Sequence, residues 1–143
     1  MEKSEYLENL GRVGNICLFS GRFDRPNVGH IVQIRRLLRV FNKVIVPVLD
    51  YPEQKYPVQY RVAILKDAVD CNRADVYYNK HHFAKIKKDD LCSYPEFGIY
   101  ASGNVACLKN MASLGYAVLY VDRAYDYSSS EDHLLGKIRS LLS

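Results

Sequence analysis

The stretch Ile16 to Gln33, ICLFSGRFDRPNVGHIVQ, decides the fold: a short apolar run stops at Ser20-Gly21, crosses a loop broken by Gly21 and Pro26, and opens a helix at Gly29-His30. A chain leaving a strand in this way can aim backbone N–H groups and a helix N-terminus at an anion. His30 falls in the first helical turn, where an imidazole can supply a hydrogen bond or a proton.

Outward from this segment, short strand-like apolar runs alternate with longer stretches at helical spacing. Strands are expected at Ile16 to Phe19, Lys43 to Leu49, Asp75 to Tyr78, Gly98 to Ala101 and Ala117 to Val121. Between the first two, Ile31, Ile34, Leu37, Leu38 and Phe41 recur on one helical face while Gln33, Arg35, Arg36 and Arg39 take the other, which makes a crossover helix. A second helix is expected over Tyr60 to Val69 and a third over Val105 to Leu114, stopped by Gly115. A last helix is expected from about Ser129 to Leu142, with Leu134, Leu135, Ile138, Leu141 and Leu142 as its apolar stripe. Such alternation predicts an α/β fold: a single-domain, doubly wound, Rossmann-like sheet of five parallel strands with helices on both faces. Residues 1–14 read as an N-terminal extension. Lys80 to Tyr94 has no clear period and reads as a surface helix or loop.

At 143 residues, 48% hydrophobic and 25% charged, the chain suits one core-forming domain. Its formal net charge of +4 is spread among acids, which fits small phosphorylated substrates as well as nucleic acid. No apolar run approaches the roughly 18 residues of a membrane span, and the polar start MEKSEYLENLGR is unlike a signal peptide, so a cytoplasmic protein is expected. Cys17, Cys71, Cys92 and Cys107 show no CxxC spacing and are read as small buried or half-buried thiols, with no zinc and no disulfides.

Ligands of open parallel sheets bind at the carboxyl ends of the strands, so the loops there carry the chemistry. The first is Gly21 to His30, where a nucleotide polyphosphate is the expected anion. The second, Asp50 to Pro57, is stiffened by Pro52 and Pro57 and carries Lys55. The third is Ser102-Gly103-Asn104 ahead of a helix, and the fourth is Arg123 to Ser130, whose hydroxyls can donate to phosphate oxygens.

Gly21-Arg22-Phe23-Asp24, then Arg25-Pro26, then Asn27-Val28-Gly29-His30 resemble the signature of the HxGH nucleotidyltransferase superfamily, with Asn27 in its variable place. Arg123, Ser128, Ser129 and Ser130 resemble the arginine and hydroxyl positions of the cytidylyltransferase pattern at the end of the sheet, while Ala124, Tyr125 and Asp126 do not match it. His133 stands where the family often has a second basic residue. Ser102-Gly103-Asn104 looks like the Gly-Ser-Asp stretch that holds base and ribose in relatives, with an amide replacing the acid.

This resemblance implies in-line attack of a small phosphorylated acceptor on the α-phosphate of CTP or ATP, with Mg2+ and release of pyrophosphate, the CTP-using branch slightly preferred. It implies that His30 stabilises the transition state and that Asn27 holds a phosphate oxygen. Arg123 with Ser128, Ser129 and Ser130 then grips the β and γ groups, and Lys55 and Arg61 face the other side of the phosphate chain. Ser20, Gly21, Phe23, Gly29, Ser102, Gly103 and Asn104 complete the expected nucleotide site. A homodimer is expected by analogy. Two other classes compete: a nucleotide-binding module without turnover, motivated by Asn27, Asn104 and His133, and a nucleic-acid-binding domain using Arg35, Arg36, Arg39 and the Lys85 to Lys88 run, which lacks any recognition signature.

Blander readings stand beside each site. Ser128, Ser129 and Ser130 suit plain helix capping, Ser102-Gly103-Asn104 suits a turn with an N-cap, and Lys55 and Arg61 suit a solvated surface. His81 and His82 are read as structural or surface residues pointing to opposite faces of a strand. Tyr51, Tyr56, Tyr60, Tyr77, Tyr78, Tyr100 and Tyr120 are read mostly as strand or core-rim aromatics, one of which can stack on a base.

Overall fold

A computed structural model describes residues 14–122 of the chain. The final helix expected over 129–142 and nearly all of the N-terminal extension lie outside the described residues. So do Arg123, Ser128, Ser129, Ser130 and His133.

Strands β1 (Ile16–Phe19), β2 (Lys43–Leu49), β3 (Ala74–Asn79), β4 (Ile99–Ser102) and β5 (Ala117–Tyr120) pair in the order β3-β2-β1-β4-β5, every pairing parallel. Helices α1 (Val28–Val40), α2 (Val58–Val69) and α3 (Val105–Ser113) follow β1, β2 and β4. The fold is therefore the five-stranded Rossmann-like α/β sheet expected.

The alternation of side chains along β1 and β2 feeds two cores. Cys17, Phe19, Val44, Val46 and Val48 face Ile31, Ile34 and Leu37 of α1 and Leu65, Ala68 and Val69 of α2. Leu18, Ile45 and Tyr100 face the opposite side, against Cys107 and Met111 of α3 and Phe83, Ile86, Leu91 and Phe97. The last four residues lie between β3 and β4. The stretch 80–94 is thus more than a surface helix or loop. It is irregular backbone with a short 3-10 helix, Lys88–Ser93, and its anchors Phe83, Ile86 and Leu91 are buried. The Asn110 amide of α3 donates to the carbonyls of Phe83 and Ile86, at 2.8 and 3.0 Å, and fastens this layer in place.

Cys17 and Cys107 are buried and Cys71 is half-buried, but Cys92, in the 3-10 helix, is exposed; all four are free thiols. Burial pushes the Cys17 thiol up to about 12, so it is an inert core group. Among the described residues no helix is long and apolar enough to cross a membrane.

The chain runs outward from β1 through β2 to β3, then returns to the other side of β1 for β4 and β5. The winding direction therefore reverses between β1 and β4, and a crevice opens at their carboxyl ends.

Candidate active site

Two loops meet at that crevice, one after β1 and one after β4. In the first, Gly21 bridges to Val48, and its carbonyl accepts from the Leu49 N–H at 3.0 Å. A Cβ on Gly21 would lie 2.9 Å from the Phe23 ring, so any larger residue there must displace that side chain. Phe23 itself adopts φ 47°, and Arg25 φ 74°, both in the left-handed region that side chains disfavour. The strained backbone turns the Phe23 ring inward, edge-on to Phe19 at 5.5 Å and to His30 at 5.0 Å.

Asp24 holds this loop to the next one. Its carboxylate accepts from the Tyr51 hydroxyl and from the backbone N–H groups of Lys55 and Tyr56. Burial works to raise the carboxyl pKa, but the hydrogen bonds from Tyr51, Lys55 and Tyr56, with the charge of Arg61, outweigh it and leave Asp24 below its ordinary value.

His30 is oriented by a reciprocal cap. The Asn27 Oδ1 accepts from the His30 N–H at 3.1 Å, and the His30 Nδ1 accepts from the Asn27 N–H at 3.2 Å. An accepting Nδ1 requires the neutral imidazole to carry its proton on Nε2. Asn27 is thereby engaged as a helix cap through both its Oδ1 and its backbone N–H, which leaves Nδ2 as what the amide can offer a ligand. The N–H groups of Val28 and Gly29, in the opening turn of α1, precede any intrahelical acceptor.

In the second loop the Ser102 Oγ accepts from the Asn104 N–H at 3.0 Å, and the Asn104 Oδ1 accepts from Ala106 and Cys107 N–H at 2.9 and 3.3 Å. The turn and N-cap reading is therefore realised, at the mouth of the crevice. A Cβ on Gly103 would meet the Val121 carbonyl at 3.2 Å, so the exit of β5 passes close over this loop.

Between the loops lies a cavity of about 520 Å³, whose lining includes Ser20, Gly21, Phe23, His30, Ser102, Gly103 and Asn104. Sequence reasoning placed all seven at the nucleotide site, and the fold brings them together. Asn27 and Gly29 stand just behind them at the start of α1 and do not line it.

Lys55 and Arg61 stand outside the cavity wall. Lys55 is exposed, takes part through its backbone N–H on Asp24, and forms no part of the cavity wall. Arg61 is fully buried, neither a phosphate contact nor a solvated residue. Its guanidinium donates to the carbonyls of Tyr56, Arg22 and Leu49 and to the Gln54 side chain, clamping the loop after β1 to the one after β2.

Residues not expected at the site also line the wall: Arg22, Gln33, Asn79, His81, His82 and Asp122, together with Tyr120, one of the tyrosines read as able to stack on a base. Arg22 lay in view inside the GRFD segment, and its guanidinium sits 4.8 Å from the centre of the Tyr51 ring. His81 and His82 were assigned to opposite faces of a strand, but β3 ends at Asn79 and both histidines line the cavity. Searching past the carboxyl end of every strand would have found them. Burial, with the charges of Arg22 and Lys85, holds His82 below the ordinary histidine pKa. Tyr120, 56% exposed, presents the aromatic ring most available to a base. The Gln33 amide donates to the Asp122 carbonyl at 3.3 Å and ties α1 to the exit of β5.

Among the described residues no group of three or more His, Cys, Asp or Glu side chains converges as a metal site.

No family model matches the sequence. Over 64 residues the chain is 38% identical to the phosphopantetheine adenylyltransferase of Geotalea daltonii, covering 43% of this chain and 40% of that protein. Two structures of a bifunctional NMN adenylyltransferase/ADP ribose pyrophosphatase from Francisella tularensis, one complexed with AMP and Mn ion, match with TM-scores of 0.59 and 0.60. They are 14% identical, over 85% of this chain and 40% and 41% of theirs. At this identity the likeness to the two structures concerns the fold. The chain spans about two fifths of the length of each of these relatives.

Proposed function

We propose that this chain is a nucleotidyltransferase that moves a nucleoside monophosphate from ATP to a small phosphorylated acceptor and releases pyrophosphate. The observation that carries the reading is the capped His30, its proton assigned to Nε2, on the wall of a cavity at the sheet's switch point. The relatives are named as adenylyltransferases, which moves the expected nucleotide from CTP to ATP.

In the reaction an acceptor phosphate oxygen forms a bond to the α-phosphorus while the bond to the β-phosphate bridging oxygen breaks in line with it. Little covalent work falls to the protein, so rate comes from alignment and from cancelling charge on the α-phosphate and the leaving pyrophosphate. His30 donates from Nε2 to the α-phosphate, and Arg22 adds a cation on the same wall. The opening turn of α1 adds N–H donors. Mg2+ bound to the triphosphate would neutralise part of its charge. Arg123, Ser128, Ser129 and Ser130 belong to the proposal through the family resemblance, as the grip on the β and γ groups.

The test is pyrophosphate release from ATP and from CTP with Mg2+, across phosphorylated acceptors, with His30→Ala alongside. Turnover with ATP that falls by about 10²-fold or more in the variant is expected, the usual loss of one oxyanion donor. Triphosphate binding with no pyrophosphate from any acceptor would instead support a binding module without turnover.

A further inference from the structure

The β3 side of the cavity carries a second imidazole arranged like the first. His82 follows the end of β3, is half-buried and lines the cavity. Its Nδ1 accepts from the Ala84 N–H at 3.1 Å, and its carbonyl accepts from the Lys85 and Ile86 N–H groups, both at 2.9 Å. An accepting Nδ1 places the proton of the neutral ring on Nε2, as in His30. Among the described residues nothing meets the His82 Nε2.

The two rings reach the cavity from opposite faces of the sheet. Helix α1, which carries His30, packs on the face of Phe19 and Val46, whereas Phe83, beside His82, stacks on Tyr100 at 5.2 Å on the other. Arg22 lines the same cavity, its guanidinium over the Tyr51 ring, whose hydroxyl is held by Asp24. Burial and the charges of Arg22 and Lys85 disfavour a second proton on His82, which keeps the ring a neutral Nε2 donor. Among the described residues the lining sets Arg22 and three histidines, His30, His81 and His82, against one carboxylate, Asp122. Such a wall suits an anion.

We infer that the His82 Nε2–H and the Arg22 guanidinium form a second phosphate subsite, separate from His30, whose ligand is a phosphate oxyanion of a bound substrate. The inference rests on the proposed transferase reading for the presence of phosphates in the cavity. His82 serves there as a donor and not as a base, because its basic nitrogen is taken by the Ala84 N–H. The oxyanion belongs to the triphosphate tail or to the acceptor.

Calorimetry on the full chain tests this without requiring turnover. The probes are a nonhydrolysable ATP analogue with Mg2+ for the tail, and phosphopantetheine and nicotinamide mononucleotide for the acceptor. His82→Ala is expected to bind one or both kinds about tenfold or more weakly, the range of a hydrogen bond to a charged group. The kind that loses affinity names the source of the oxyanion. Two further variants separate donation from turn-building. His82→Gln brings an amide N–H to the place of Nε2 and should stay within about threefold of the wild type. His82→Asn brings its Oδ1 to the place of Nδ1, keeps the turn onto Ala84, and should bind as weakly as His82→Ala. Thermal melts of all variants report folding separately, and a role confined to the turn gives the reverse order, with His82→Asn like the wild type and His82→Gln impaired. Should His82→Ala fail to fold, the order of the other two decides. The inference is overturned if no probe binds the wild type, if His82→Ala binds every probe like the wild type, or if His82→Gln binds no better than His82→Asn. Failure of the transferase reading shows differently, as probe binding that follows His82 with no pyrophosphate released by the wild type.

Discussion

At the scale of single residues, Asp24 shows how a carboxylate outside the cavity wall can anchor the loops that form it. Its carboxylate gathers Tyr51, Lys55 and Tyr56 and lies below its ordinary pKa, so it stabilises the folded state above the unfolded carboxyl pKa near 3.8 and loses that contribution as pH falls through its lower folded value. Asp24→Asn is expected to cost about 1–2 kcal/mol at neutral pH, discounted for the exposure of the Lys55 contact. The gap should shrink in acid, and urea titrations of both proteins at the two pH values check it. Unchanged midpoints at neutral pH would remove the loop-anchoring role. Tyr77 gives the opposite sign. Its hydroxyl is buried without a partner, and burial drives its pKa far up, so Tyr77→Phe should be neutral or stabilise by up to about 1 kcal/mol in the same titration.

At the scale of elements, legibility followed burial pattern. Strands β1 and β2 begin and end where the apolar runs do, because central strands covered on both faces read as unbroken runs. Strand β3 gained Ala74 and Asn79 through pairing with Val44 and Leu49, which a local reading cannot see. The stretch 80–94 escaped because Phe83, Ile86 and Leu91 follow no single period. Arg61 escaped for a related reason: its acceptors come from four separate chain positions and converge only in the fold. The glycines were legible by chemistry, Gly115 with φ 99° ending α3 as expected. The loop after β1 offers the sharper test. Gly21→Ala must push the Phe23 ring, which packs against His30, so a loss of about 1–3 kcal/mol is expected. Turnover should fall with it by more than stability explains, which comparison of thermal melts with pyrophosphate release at a temperature where both proteins are folded will read. An alanine variant with wild-type turnover would mean that the ring does not position the histidine.

At the scale of the whole molecule, the topology converts two separate loops into one site. Because the strand order reverses between β1 and β4, the loops after them open toward the same crevice, and Asp24 and Arg61 lock the loop after β2 onto the first of them. A ligand that fills this crevice contacts groups which are far apart in the unfolded chain, so it should bind the native state alone and stabilise it. A triphosphate at a hundred times its dissociation constant contributes about 2.7 kcal/mol, a rise in Tm of about 5–10 °C for a domain of this size. The rise should be larger with ATP than with CTP at equal concentration, if the nucleotide follows the adenylyltransferase relatives. It should also weaken in Arg22→Ala, which removes a cation from the cavity wall while leaving the buried Arg61 clamp intact. Differential scanning fluorimetry with Mg2+ and each nucleotide separates the possibilities. Equal shifts with ATP and CTP would mean that the crevice reads phosphate and not base, and no shift with either at millimolar concentration would remove the nucleotide from this crevice.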